Sequence, residues 1–189
     1  KPIQHTRIKP PQAEVKADEA RAQIIATECN QHMEETLPEA ANTQFVTVWP
    51  ALTDTRVENG CLQVAKGSFE KMLPRCPGGK TQVGIADQFR SANAAKPAPG
   101  KAGVAVIFHL FPPHASLSNE NDGYHWSHDN RRNVSGQPTG RSHFAEFIAR
   151  SGTNPQSGVR NWREWNRTWE EACVQLATSS HIARHRYGS

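Results

Sequence analysis

An all-β core with flanking helices, arranged as a double-sheet roll, is the fold class that three features of this sequence predict. Short apolar runs with strand-type patterning recur, most clearly at Phe45–Leu52 and Val104–Phe108. Turn signals separate them: Asn59-Gly60, Asn121-Asp122-Gly123 and the Gly/Pro string Ser135–Arg141. Helical periodicity is confined to the two ends, weakly over 13–29 and clearly over Asn161–Thr178.

In chain order, residues 1–12 alternate with Ile3, His5 and Arg7 on one side and end in Pro-Pro, which suits an edge strand. Ala17, Ala20 and Ile24 fall at helical spacing, so a helix is expected over 13–29, and 30–43 reads as loop. Within Phe45–Leu52, Val46, Val48 and Pro50 alternate with Phe45, Thr47 and Trp49. Thr53–Gly60 is the turn and Cys61–Ala65 the returning strand. Lys66–Pro99 is rich in Gly, Pro and Lys without periodicity and is expected as an irregular surface loop.

The chain is organised around 101–133. Val104–Phe108 is a β-branched apolar run that reads as a buried strand and delivers His109 and His114 to its end, with Pro112-Pro113 stiffening the approach. His114, Ser116 and Asn119 form an H-x-S-x-x-N string in which Ser116 and Asn119 are expected to tie down the turn through backbone hydrogen bonds. Tyr124–Asn133 returns as a strand, with Tyr124 and Trp126 on one face and His125, Asp129 and Arg131 on the other. Phe144, Phe147 and Ile148 anchor a short segment. In the last helix Trp162, Trp165, Trp169 and Leu176 share a stripe read as packing.

The 189 residues suffice for one domain over 1–189 with a real core. The +4 charge is modest and its basic residues are scattered with few interleaved aromatics, which argues against a nucleic-acid partner. Cys29, Cys61, Cys76 and Cys173 have neither disulfide-scaffold nor zinc spacing, so reduced thiols and an intracellular, cytoplasmic setting are expected. No stretch approaches a membrane span.

Three stretches, TVWPALTDTRVENGCLQVAKGS at 47–68, GVAVIFHLFPPHASLSN at 103–119 and YHWSHDNRRNVSGQPTGR at 124–141 with FIARSGTNP following at 148–155, together resemble the phytanoyl-CoA dioxygenase family of Fe(II)/2-oxoglutarate oxygenases. The resemblance runs over roughly 37–175, in order. It implies a double-stranded β-helix (jelly roll) with iron at one mouth, and more chain upstream of Lys1, so the sequence is expected to be an N-terminally truncated fragment. It also implies two His and one Asp or Glu on one face of Fe(II), with 2-oxoglutarate as co-substrate and a small or lipid-like molecule as substrate.

On this resemblance His114 takes the position of the distal metal histidine. Setting Leu37-Pro38-Glu39 against the family's string puts Asn30-Gln31-His32 on the family's H-x-D, and neither residue is then the expected ligand. A shift of two reads His32-Met33-Glu34 as H-x-E and restores an N,N,O face, so His32, Glu34 and His114 are the candidate metal ligands. The family's co-substrate arginine should fall eleven residues after the distal histidine, at His125. His125 is the candidate contact, as a charged imidazole, and Arg131 is the same-face cation six residues along, roughly 20 Å at strand rise. His109 is expected as a packed or supporting histidine, and Cys61 as core. The functions this implies are a hydroxylase, a degenerate homologue that only binds, or an isomerase or lyase using the same cavity.

Overall fold

The computed structural model describes residues 5–14, 29–32, 45–66, 75–77, 83–85, 95–109, 112–137 and 146–178. They hold ten strands: β1 (His5–Lys9), β2 (Cys29–His32), β3 (Phe45–Pro50), β4 (Leu62–Ala65), β5 (Arg75–Pro77), β6 (Val83–Ile85), β7 (Ala95–Pro97), β8 (Ala105–His109), β9 (His114–Ser116) and β10 (His125–Asn133). One α-helix follows, α1 (Trp162–Thr178). The chain divides into two compact units, one of His5–Glu35 with Val46–Asn130, the other of Arg131–Ser189 with two short earlier pieces.

The first unit carries two four-stranded sheets, ordered β1-β10-β3-β8 and β2-β9-β4-β7, and a β5-β6 hairpin. Every register recorded among these strands is antiparallel. Alternation decides which side chains meet. On β10, His125, Ser127 and Asp129 are buried while Trp126 is exposed, and on β3 Thr47 and Trp49 are buried between half-buried neighbours. Trp49, Ala51, Leu62 and Phe108 form the core cluster, with Val64 and Val106 packed against it. It is a small core with many polar groups at its edge: Thr47, Thr55, Asn59, His114, Asn119, His125, Ser127 and Asp129 are all buried. Polar groups are kept inside only where hydrogen bonds or a ligand offset their desolvation, so this composition already points at a site.

The Asn-Gly pair marks a turn at 53–60, but the hairpin it predicts does not form: β3 and β4 lie in different sheets, β3 beside β8 and β10, β4 beside β7 and β9. Gly60 adopts φ +79°, Cys61 donates to the Arg56 carbonyl, and Asn59 Oδ1 accepts from Arg56 N at 2.7 Å. Asn119 does for the 119–123 loop what the sequence suggests. Its Nδ2 donates to the carbonyls of Lys9 and Gly123, at 3.0 and 2.8 Å, and its Oδ1 accepts from Asn121 N. Ser116 does not act in this way: its hydroxyl accepts from Lys9 Nζ.

Three expectations change, and a fourth falls largely outside the described residues. Cys29–His32, read as helix end and loop, is strand β2, paired with β9. The helix expected over 13–29 otherwise lies outside the described residues, apart from a 3-10 turn at Gln12–Glu14. Lys66–Pro99 is not wholly irregular, since it contains β5, β6 and β7, each of three residues and too short to show a period. His109, at the end of β8, is exposed rather than packed.

In the second unit, Asn161 caps α1, its Oδ1 accepting from Arg163 N at 3.0 Å. Phe147 packs on Trp165 with ring centroids 5.8 Å apart. Trp165 and Trp169 are half-buried, but Trp162 is 62% exposed with the Arg163 guanidinium over its ring, so the packing stripe is narrower than the sequence suggests. Among the described residues no helix is long and apolar enough to cross a membrane.

Candidate functional site

Pairing of β2 with β9 brings two of the predicted ligands together. His32 and His114 are direct cross-strand partners, with a register irregularity between Cys29 and His32. Glu34 lies outside the described residues, and among those described no three His, Cys, Asp or Glu gather at one point.

His114 itself is 4% exposed. Its Nδ1 lies 3.1 Å from the Pro112 carbonyl oxygen, and because a carbonyl only accepts, Nδ1 carries the proton. A neutral ring so held carries its lone pair on Nε2, the arrangement in which imidazole binds metals. Pro112 and Pro113 set this geometry locally, since they hold the carbonyl one turn before the histidine. The Phe108 ring packs 4.7 Å from the His114 ring and keeps it from water on one side. Beside Phe108 a groove of about 470 Å³ is lined by Val64, Val106, Ile107, His109 and Pro112.

His125 opens β10 and is 4% exposed. Its Nδ1 lies 2.9 Å from the Asn59 carbonyl oxygen, so the same reasoning puts the proton on Nδ1 and the lone pair on Nε2. That Nε2 is buried with no hydrogen-bond partner among the described residues, as is Thr47 Oγ1. Trp49 meets the His125 ring edge-on at 5.8 Å. Burial pushes the ring below the ordinary imidazole value, partly opposed by the Asn59 carbonyl and reinforced by the Lys9 charge. A charged imidazole at 125 was expected; burial keeps it neutral. Arg131 is half-buried in the far part of the same strand, six positions on, and belongs to the other unit.

Two residues of the first unit were given no role by the sequence reading. Lys9 is the register partner of His125, and Arg7 of Ser127. Lys9 Nζ donates to Ser116 Oγ at 2.9 Å and to the Leu117 carbonyl. Arg7 Nε donates to Asp129 Oδ2 at 2.5 Å, an ion pair with a buried carboxylate and a half-exposed guanidinium. The alternation of Ile3, His5 and Arg7 is the signal that could have found Lys9, the next odd-numbered residue on that face.

A profile of the phytanoyl-CoA dioxygenase (PhyH) family matches residues 9–125. No protein of curated function matches the chain. Among solved structures, EvdO2 from Micromonospora carbonacea var. aurantiaca aligns at 18% identity with a TM-score of 0.55, covering 71% of this chain and 54% of its own. A second EvdO2 structure, complexed with 2-oxoglutarate, aligns at 18% identity over 71% and 54% with a TM-score of 0.54. The apo form of ThoJ, a non-heme monooxygenase, aligns at 20% identity over 93% of this chain and 67% of its own, with a TM-score of 0.59. The chain thus spans about half the length of EvdO2. At such identities the likeness is one of fold. The family match is of another kind: it opens at Lys9, closes at its cross-strand partner His125, and takes in β2 to β9 between them. The chain belongs to the phytanoyl-CoA dioxygenase (PhyH) family.

Proposed function

We propose that the chain is an Fe(II)/2-oxoglutarate-dependent dioxygenase-like protein, built as a jelly roll over 1–189, that hydroxylates or otherwise oxidises a small or lipid-like molecule. The observation that carries this reading is the opposition of His32 and His114 across β2 and β9, with His114 Nδ1 committed to the Pro112 carbonyl. Eight strands in two antiparallel four-stranded sheets, the first strand beside the last, support the jelly roll. Membership of the PhyH family supports the chemistry, as does a fold neighbour complexed with 2-oxoglutarate.

The residues fit the group. Two imidazoles and a carboxylate suit Fe(II), and His32, His114 and Glu34 are the residues that would hold it. With Fe(II) and 2-oxoglutarate bound, O2 would be the oxidant for attack on a C–H bond, and 2-oxoglutarate would supply the other two electrons by its decarboxylation. The chain's own part is positional. Pro112 holds the His114 tautomer, Phe108 shields that ring from water, and the groove beside Phe108, with Val64, Val106 and Ile107, offers an apolar wall to the substrate.

His125 favours a second reading, in which the fold is kept and only binding survives, because a neutral ring stands where the family resemblance expects a guanidinium. The two readings separate in an anaerobic titration. One Fe(II) per chain followed by a metal-to-ligand charge-transfer band on adding 2-oxoglutarate is expected. Iron uptake without the band favours the binding protein, and no iron uptake refutes both the ligand set and the oxygenase.

A further inference from the structure

A sheet with one face on the core and the other in water alternates apolar and polar residues along its strands. β3 and β8 do not. Thr47 and Trp49 are buried, yet the outward positions of β3 are Val46, Val48, Pro50 and, just past its end, Leu52; on β8, Ile107 stands outward beside the buried Phe108. Strands that are apolar on both sides belong to sheets that are covered on both sides. We propose that the outer face of the sheet β1-β10-β3-β8 is covered by the same face of a second copy of this chain, in an isologous dimer. The proposal is independent of the oxygenase reading.

Three observations carry it. The first is continuity. Ile8 is the register partner of Trp126, Leu52 N donates to the Trp126 carbonyl at 3.0 Å, and Val48 is the partner of Ile107, so one apolar patch crosses all the strands of this sheet. Trp126 lies between Ile8 and Leu52, where a large aromatic side chain anchors an interface. The second is charge. The outward positions of these strands, taken as far as Asn130, hold no Asp, Glu, Lys or Arg, while Arg7, Lys9 and Asp129 occupy the alternate positions. An uncharged face meets its own copy without like-charge repulsion, whereas an anionic membrane or a charged partner finds no complement in it. The third is area. Ile8 is 39% exposed, Trp126 38%, Leu52 50% and Ile107 67%, which at about 200 Å² for a whole large side chain leaves roughly 400 Å² of apolar surface. Exposed Thr6, Ala105 and His109 and the half-buried residues of β3 bring this face to roughly 700 Å², close to the ~800 Å² per partner of a stable interface.

Two such faces pack as aligned sheets roughly 10 Å apart with their side chains interdigitated. Sedimentation velocity of the full 189-residue chain, from about 1 to about 100 µM, reads the association directly. The wild-type chain, 21.0 kDa as a monomer, should sediment at twice that mass at the upper end and dissociate on dilution. Trp126→Glu sets a carboxylate in the middle of the patch and should weaken the dimer by at least ~30-fold, the loss of one anchoring residue. Leu52→Glu should act in the same direction from a half-exposed position outside the core, with far-UV circular dichroism and the urea midpoint reporting that the chain still folds. Val174→Glu puts the same charge on an exposed apolar residue of α1 and should leave the dimer intact. A wild-type chain that stays monomeric at about 100 µM overturns the proposal, and strong binding of anilinonaphthalene sulfonate by that monomer would mark the face as the seat of a different polypeptide. A dimer that a folded Leu52→Glu chain forms as tightly as wild type overturns it too, as does a dimer lost equally in Val174→Glu. Should Trp126→Glu fail to fold, Leu52→Glu decides.

Discussion

Replacing Asn119 by Ala is expected to destabilise the fold by about 3–5 kcal/mol. The side chain is completely buried and makes three hydrogen bonds, to the Lys9 and Gly123 carbonyls and from Asn121 N. Gly123 and Asn121 are exposed, so water replaces the lost partner and each bond costs about 1 kcal/mol. The Lys9 carbonyl is part-buried, and leaving it unsatisfied adds ~1–3 kcal/mol. Equilibrium urea unfolding should show the midpoint falling by about 2 M at unchanged slope, taking a slope near 2 kcal/mol/M. Asn119→Asp sharpens the test. It is nearly isosteric and keeps the acceptor for Asn121, but it points an oxygen at two carbonyls and buries a charge, so it should cost at least as much as Ala. A loss below about 1 kcal/mol for Ala, or an Asp variant as stable as wild type, would refute the argument that these bonds hold the 119–123 loop to β1.

Further outcomes follow from other parts of the first unit. His114→Ala should abolish Fe(II) binding, measured by equilibrium dialysis, whereas His109→Ala, exposed at the end of β8, should leave most of it; equal losses would mean that His114 is not a ligand. Gly60→Ala should cost about 1–3 kcal/mol by urea unfolding, because its φ of +79° is strained for any side chain and the Cβ meets a carbonyl oxygen at 2.5 Å. Burial lowers the folded-state pKa of His125 below its unfolded value of about 6.5. The stability from keeping that ring neutral is therefore present above pH 6.5 and lost as pH falls through the folded-state value. Urea midpoints at pH 7 and pH 5 should differ more for wild type than for His125→Gln, and equal differences would sink that assignment.

What could be read in the sequence was whatever repeats with period 2 over at least four or five residues. β3 and β10 announce themselves because Thr47 and Trp49, and His125, Ser127 and Asp129, mark one face consistently, whereas β8 was read from an apolar run expected to be buried, although Val104 and Ile107 are exposed. Strands β5, β6, β7 and β9 have three residues each and no period to detect. β2 is hidden for a different reason: Cys29-Asn30-Gln31-His32 has no apolar face, and only pairing with β9 makes it a strand. The site followed the same division. His114 was placed by the resemblance, and His32 only by shifting two residues from the alignment that set it on the family's Asp; the pairing of β2 with β9 puts the two in register. His125 was located correctly as an inward residue of β10, but its charge state was not legible, since the Asn59 carbonyl that sets its tautomer lies in a turn 66 residues earlier.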